Sequence, residues 1–149
     1  MTVALVVRFF VVTFGFLFGC LGAGAVLVIA TLPPGTLEGP FEQIDWLIFW
    51  GAILTSAAFV SVLAFVPAMM IILIAETFAL RSLFFYALAG GIGGLLYGLT
   101  FPVATAAPFD LTVQITLAAG VAAGLVYWLV AGRTAGLWRG NSIQSADNI

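Results

Sequence analysis

The chain alternates four long apolar segments with shorter stretches that hold nearly all of its charged residues. The apolar segments cover roughly 9–32, 47–75, 82–101 and 113–132. A bilayer core about 30 Å thick needs roughly 20 helical residues, so each segment is long enough to cross it. Unpaired backbone groups are costly in lipid, and the segments lack the period-two alternation of barrel strands. The pattern therefore predicts an all-α integral membrane protein with four transmembrane helices.

Composition supports this fold class. Hydrophobic residues make up 64% of the 149 positions and charged residues only 7%, against about 25% charged residues in an ordinary soluble domain. A soluble chain of this length could not bury so much apolar surface, because burial is limited by the ratio of surface to volume. We expect one transmembrane domain over 1–139 and a polar tail over 140–149.

The second apolar segment is longer than a membrane requires. At about 1.5 Å per residue, 47–75 would reach roughly 43 Å, so this helix has to tilt, kink or project from the bilayer. Pro67 is the predicted kink, because proline lacks an N–H and its ring crowds the carbonyl four residues earlier.

The first apolar segment has some features of a signal peptide. Arg8 precedes it, and Ala23, Gly24 and Ala25 resemble a small-residue cleavage site. Apolar residues continue to Leu32, however, which makes the segment longer than an ordinary signal-peptide core. We therefore interpret it as a retained span.

The distribution of charge predicts the orientation of the four spans. With four spans, both termini share a side with the link between spans two and three. That side holds all four arginines of the chain, namely Arg8, Arg81, Arg133 and Arg139. The opposite loops hold Glu38, Glu42, Asp45 and Asp110 and no basic residue. Because basic residues are retained in the cytoplasm, we expect both termini to be cytoplasmic.

Glycines at four-residue spacing mark three of the spans. Four-residue spacing puts them on one face of a helix, where another backbone can approach closely. This spacing predicts tight helix packing, within the four-helix bundle, against another subunit or around a pore. The predicted packing residues are Gly15, Gly19, Gly90, Gly94, Gly98, Gly120 and Gly124.

A group of charged residues is predicted at the cytoplasmic face. Glu76 and Arg81 lie five residues apart, a spacing that is poor for a pair on one helix. Arg133 could approach Glu76 from the fourth span instead. An ionisable residue near a membrane is a candidate functional site, but at the interface a salt bridge is the simpler interpretation. The predicted group comprises Glu76, Arg81, Arg133 and Arg139.

Several kinds of chemistry lack the residues that they need. Without histidine there is no bis-histidine haem, no histidine-ligated metal and no histidine general base. Cys20 alone cannot support dithiol redox chemistry. Thr55, Ser56 and Ser61 have no adjacent base, so we expect their hydroxyls to bond within or between helices. No metal site, cofactor signature or catalytic residue is predicted, and whether a lipid, quinone or pigment binds is left open. The net charge of −2 offers no basic surface for nucleic acid.

Two regions carry distinctive short motifs. They are PA at 67–68, AE at 75–76, LRS at 80–82, FYALAGG at 85–91, VYWLVAGR at 126–133, AG at 135–136 and WR at 138–139. In these motifs the chain resembles uncharacterised small four-span inner-membrane proteins of alphaproteobacteria. The resemblance implies a bacterial inner membrane and a cytoplasmic group of charges around Glu76, Arg81, Arg133 and Arg139. It implies no catalytic residue.

The function that these features favour is that of an accessory or scaffolding subunit of a larger inner-membrane complex, without catalysis of its own. Its expected partners are membrane lipids and other membrane protein subunits. A small homo-oligomeric transporter or channel is the alternative, although the middle of each span offers few polar groups to line a path. A membrane enzyme is the third possibility.

Overall fold

A computed structural model describes residues 2–32, 43–100 and 109–134 of the chain. Over these residues the structure is helical. The helices are α1 (Thr2–Thr31), α2 (Gln43–Thr77), α3 (Leu83–Thr100) and α4 (Phe109–Val130), followed by a short 3-10 turn at Gly132–Thr134. All four α-helices contain a segment long and apolar enough to cross a membrane. The predicted all-α fold with four spans is confirmed, and it indicates a multi-pass membrane protein.

The helices extend beyond the predicted apolar segments at several ends. α1 begins at Thr2 and α2 reaches from Gln43 to Thr77, because no helix breaker stands at the predicted limits. α1 ends just before Leu32, which precedes Pro33; a residue before proline is pushed out of the helical region. The predicted tail over 140–149 lies outside the described residues.

α2 runs without a break through Pro67. Its 35 residues correspond to about 52 Å of helix, more than the hydrocarbon thickness of a bilayer. Pro67 has no N–H to donate to the carbonyl of Leu63, so one rung of the helical hydrogen-bond ladder is missing in this helix. The kink at Pro67 stays a prediction, but the proline does not end the helix.

The turn between α2 and α3 is a Schellman motif with alanine where glycine is usual. The N–H of Leu80 donates to the carbonyl of Ala75 at 2.8 Å, and the N–H of Ala79 donates to the carbonyl of Glu76 at 3.4 Å. Ala79 has a φ of 50°, the left-handed conformation that this motif requires. Leu80 then packs against buried residues of the bundle. The motif turns the chain back into α3 within a few residues.

The order of the helices across the bundle differs from their order in the chain. α1 packs along both α2 and α4, and α3 packs along α4. α2 and α3 are consecutive in sequence but make few contacts with each other. The order in space is therefore α2, α1, α4, α3, with an open groove between the two outer helices.

The α3–α4 contact is a backbone-to-backbone contact made possible by glycine. A side chain at Gly90 would collide with the carbonyl oxygen of Gly120, and one at Gly94 would collide with that of Thr116. A side chain at Gly124 would meet the carbonyl oxygen of Tyr86. In lipid, where apolar side chains gain little from leaving the solvent, such close approach is a main source of helix association.

Glycines of α1 likewise allow close approach to its two neighbours, α2 and α4. Toward α4, a Cβ on Gly15 would lie 2.8 Å from the Cβ of Ala131, and one on Gly19 would lie 3.0 Å from the carbonyl oxygen of Ala123. Toward α2, a Cβ on Gly24 would lie 2.8 Å from the carbonyl oxygen of Ile53. These glycines let α1 lie in the middle of the bundle.

Candidate functional site

Arg8, Glu76, Arg81 and Arg133 lie at one end of the bundle, called here the arginine end. It holds the start of α1, the turn between α2 and α3, and the end of α4. Arg8 Nε donates a hydrogen bond of 2.8 Å to Glu76 Oε1, and its terminal nitrogen forms a salt bridge with the same oxygen. The two side chains are only 12% and 17% exposed. The pair therefore joins α1 to α2 in a largely dehydrated position.

Arg8 was not part of the charged group predicted from the sequence, yet it lies beside Glu76 in the structure. Arg133 was the partner suggested for Glu76 from the sequence, and the structure shows a salt bridge between Glu76 and Arg8. The predicted topology was consistent with an Arg8–Glu76 pair, because the two residues lie near the same membrane face on consecutive antiparallel spans. The missing information was which spans are neighbours in space.

Trp128 lies between the two described arginines of the predicted group. Its Nε1 donates a hydrogen bond of 2.8 Å to the carbonyl oxygen of Arg81, and the guanidinium carbon of Arg133 lies 5.7 Å from the centre of its ring. Arg133 thus makes a cation–π contact with Trp128. Arg139 lies outside the described residues.

A buried aromatic pair lies next to the ion pair. The rings of Tyr86 and Tyr127 are 5.3 Å apart, centre to centre, and tilted by 38°. Both belong to a buried cluster with Ile72, Ala75 and Ala131. A Cβ on Gly15 would lie 3.2 Å from the Tyr127 ring, so this glycine makes room for the ring. The cluster closes the bundle at the arginine end.

A groove of about 750 Å³ lies between α2 and α3. Its floor is formed by small residues of α1 and α4, among them Gly19, Ala23 and Gly120. Ile72, Tyr86 and Tyr127 line it at the arginine end, where they are also part of the buried cluster. None of the described residues that line the groove is charged.

Most hydroxyls along the groove bond to their own helix, as expected for Thr55. Its Oγ1 donates to the carbonyl of Gly51 at 2.8 Å. The same i to i−4 bond is made by Thr31, Thr100 and Thr116. Ser61, on the outside of the groove, donates to the carbonyl of Ala58 at 2.7 Å. These bonds leave the surface of the groove largely apolar.

Two glycines of the described spans have open space where a side chain would lie. A Cβ on Gly51 or on Gly93 would meet nothing within 4 Å. Gly93 lines the α3 wall of the groove, whereas Gly51 lies on α2 outside it. At each of the predicted packing glycines, a side chain would meet another helix of the same chain. Gly51 and Gly93 differ from them in having room for a side chain.

No protein-family description, curated protein or solved structure matches the chain. The resemblance to small four-span bacterial membrane proteins accordingly stays a prediction.

Proposed function

We propose that this protein is an accessory or scaffolding subunit of a larger membrane assembly, with no catalysis of its own, and that the outer face of α2 binds a transmembrane helix of a partner subunit. The observation that carries the proposal is a stripe of small residues on α2 that the bundle leaves uncovered. Gly51, Thr55 and Ala58 are all exposed. Their spacing of four and three residues puts them on one helix face.

Small residues on a lipid-facing helix are a recurrent feature of helix–helix contacts, because they let a second backbone come close. Each of the seven glycines predicted from the sequence faces another helix of the same chain, so each already contributes to packing within the bundle. The Thr55 hydroxyl bonds to the Gly51 carbonyl and so needs no partner of its own. The α2 stripe is thus a smooth surface on which the Thr55 hydroxyl is already hydrogen-bonded.

α2 is also the helix best placed to receive a partner. It lies at the edge of the bundle, and its span has the smallest buried share of the four. Its 35 residues exceed the hydrocarbon thickness, so it offers contact area over the whole depth of the bilayer.

The proposed location is a bacterial inner membrane, with the arginine end in the cytoplasm. The support for this orientation is the positive-inside rule: Arg8, Arg81 and Arg133 lie together at one end of the bundle. The acidic Asp45 lies near the start of α2, at the opposite end.

The test is native-mass separation of gently solubilised membranes that contain the wild-type chain, Gly51→Leu or Ala58→Leu. We expect the wild-type chain to comigrate stoichiometrically with other membrane proteins, and both variants to lose that comigration. Gly93→Leu is the matched control, because it also places a leucine in open space but outside the stripe.

A wild-type chain that migrates alone would refute the subunit proposal, and a discrete homo-oligomer would favour the transporter or channel alternative. Comigration that survives both Gly51→Leu and Ala58→Leu would show that the partner binds a different face.

A further inference from the structure

The arginine end of the groove contains a tyrosine hydroxyl whose hydrogen-bonding capacity is unused. Tyr127 is 7% exposed, and no hydrogen-bond partner for its hydroxyl is found among the residues that the structure describes. By contrast, the hydroxyl of its neighbour Tyr86 donates to the carbonyl of Leu80 at 3.1 Å. A hydroxyl that makes no hydrogen bond within the chain and borders an apolar groove is suited to a polar atom from outside the chain.

The Tyr127 hydroxyl is still reachable. In the described part of the chain no side-chain oxygen or nitrogen is both sealed from the surface and without a partner. Tyr127 therefore retains some open space at its hydroxyl, and it is one of the residues that line the groove.

The dimensions of the groove indicate a long ligand. A volume of about 750 Å³ lies within the range of roughly 300–1,000 Å³ for small-molecule sites. Along the α3 wall, from Tyr86 to Thr100, the groove is roughly 21 Å long. One leaflet of the bilayer is about 15 Å deep. The groove is thus longer than the acyl chains of a single leaflet are deep, which favours a ligand with a long chain.

The charge of the groove indicates a neutral ligand. None of the described lining residues is ionisable at neutral pH, and the nearby Arg8 is already paired with Glu76. A phospholipid headgroup would find no counter-charge inside the groove. A flat ring beside Tyr86 and Tyr127 could instead stack on an aromatic face.

We propose that the α2–α3 groove binds a neutral isoprenoid lipid of the quinone class, with its chain along the small-residue floor and a ring carbonyl accepting a hydrogen bond from the Tyr127 hydroxyl. The ligand enters sideways from the bilayer between α2 and α3, because these helices make few contacts with each other. Thr55 of the α2 stripe also borders this groove, whereas Gly51 and Ala58 lie outside it, so substitutions at Gly51 and Ala58 test the stripe separately from the groove.

The experiment measures quinone binding by the purified full chain in phosphatidylcholine nanodiscs. A long-chain ubiquinone is titrated, and saturable quenching of tryptophan fluorescence is recorded. Gly93→Leu puts a leucine into the open space of the groove and should abolish saturable quenching. Tyr127→Phe keeps the ring and removes the hydroxyl, so it should weaken binding about fivefold, as loss of one hydrogen bond of roughly 1 kcal/mol implies. Gly51→Leu is the control and should bind like the wild-type chain.

A second control concerns the opposite end of the groove, where the buried Thr112 hydroxyl also lines the wall. Thr112→Val should leave quinone binding unchanged if the head lies at Tyr127. Weaker binding in Thr112→Val but not in Tyr127→Phe would overturn the proposed placement. Equal quenching in Gly93→Leu and the wild-type chain would overturn the site itself.

The source of the ligand is tested on protein purified from its own membranes in mild detergent, by solvent extraction and mass spectrometry. We expect near-stoichiometric quinone in the wild-type chain and in Gly51→Leu, and its loss in Gly93→Leu. Phospholipid that depends on Gly93 in the same way, without quinone, would overturn the assignment to the quinone class.

Discussion

Arg8 and Glu76 are 68 positions apart in the chain, yet their side chains form a salt bridge that joins the first helix to the end of the second. The contact is made where α1 enters and α2 leaves the bundle, next to the Tyr86–Tyr127 pair. Removing one member of a dehydrated ion pair leaves the other charge without compensation, which is more costly than the pair is favourable.

We therefore expect Arg8→Ala to destabilise the bundle by about 2–4 kcal/mol. The measurement is thermal or denaturant unfolding in detergent micelles. A double-mutant cycle with Glu76→Ala should show strong coupling, because the second substitution adds little once the pair is broken. Arg133→Ala serves as the control and should show weak coupling to Glu76→Ala. Equal coupling of both arginines to Glu76 would contradict the assignment.

The contact between Gly90 and Gly120 predicts that alanine substitutions at different glycines of α3 change the stability of the fold very differently. Gly90→Ala should destabilise the fold by about 3 kcal/mol, at the upper end of the usual cost of overpacking, because the new methyl group meets backbone that cannot move independently. Gly93→Ala should be neutral or stabilising by up to about 1 kcal/mol, since its site is open and alanine favours the helix. Both variants are compared by thermal unfolding in the same detergent. Similar losses for the two would show that α3 and α4 do not approach as described.

The Schellman turn predicts that a glycine would stabilise this protein at one position. Ala79 has a φ of 50°, which costs an L-residue roughly 1–2 kcal/mol. Replacing Ala79 by glycine removes this cost, but part of the gain in stability is offset because glycine also makes the unfolded chain more flexible. We expect Ala79→Gly to raise the free energy of unfolding by about 0.5–1 kcal/mol. Ala52→Gly, inside α2, should lower it by a similar amount, and a lower melting temperature for Ala79→Gly would contradict the turn geometry.

The hydrogen bond from Trp128 to the Arg81 carbonyl predicts a local effect. Trp128→Phe removes the donor but keeps an aromatic ring, so the turn between α2 and α3 should open more often while the bundle stays folded. Amide hydrogen exchange over 78–82 should become faster by about fivefold, as loss of roughly 1 kcal/mol implies. Trp46→Phe, at the other end of α2, should leave this exchange unchanged. Unchanged exchange in Trp128→Phe would show that the bond does not hold the turn.

The number of helices and their approximate limits follow from the sequence because the length of an apolar segment is set by the bilayer. The spacing of Gly90, Gly94 and Gly98 also indicates a helix face at which backbones can meet. Neither observation says which helix meets which. Lipid satisfies apolar side chains as well as a protein interior does, so helix order leaves only a weak hydrophobic pattern in the sequence.

The salt bridge and the groove both depend on that unknown order. Glu76 could be assigned a partner only by knowing that α1 lies beside α2 at the arginine end. The groove exists because α4, and not α2, covers α3. Gly93 illustrates the limit well: its sequence context resembles that of Gly94, yet one glycine faces open space and the other a backbone carbonyl.

The position of α1 between α2 and α4 has a consequence for how the protein is made. Among the four described helices, α1 is made before the others, yet it contacts one of its two neighbours only after α4 has entered the membrane. α1 with α2 and α3 with α4 are two hairpins that can each form as soon as their second helix is inserted. The finished bundle then arises from a single docking event, α1 onto α4. Gly15, Gly19 and Gly22 of α1 remain in contact with lipid until that event.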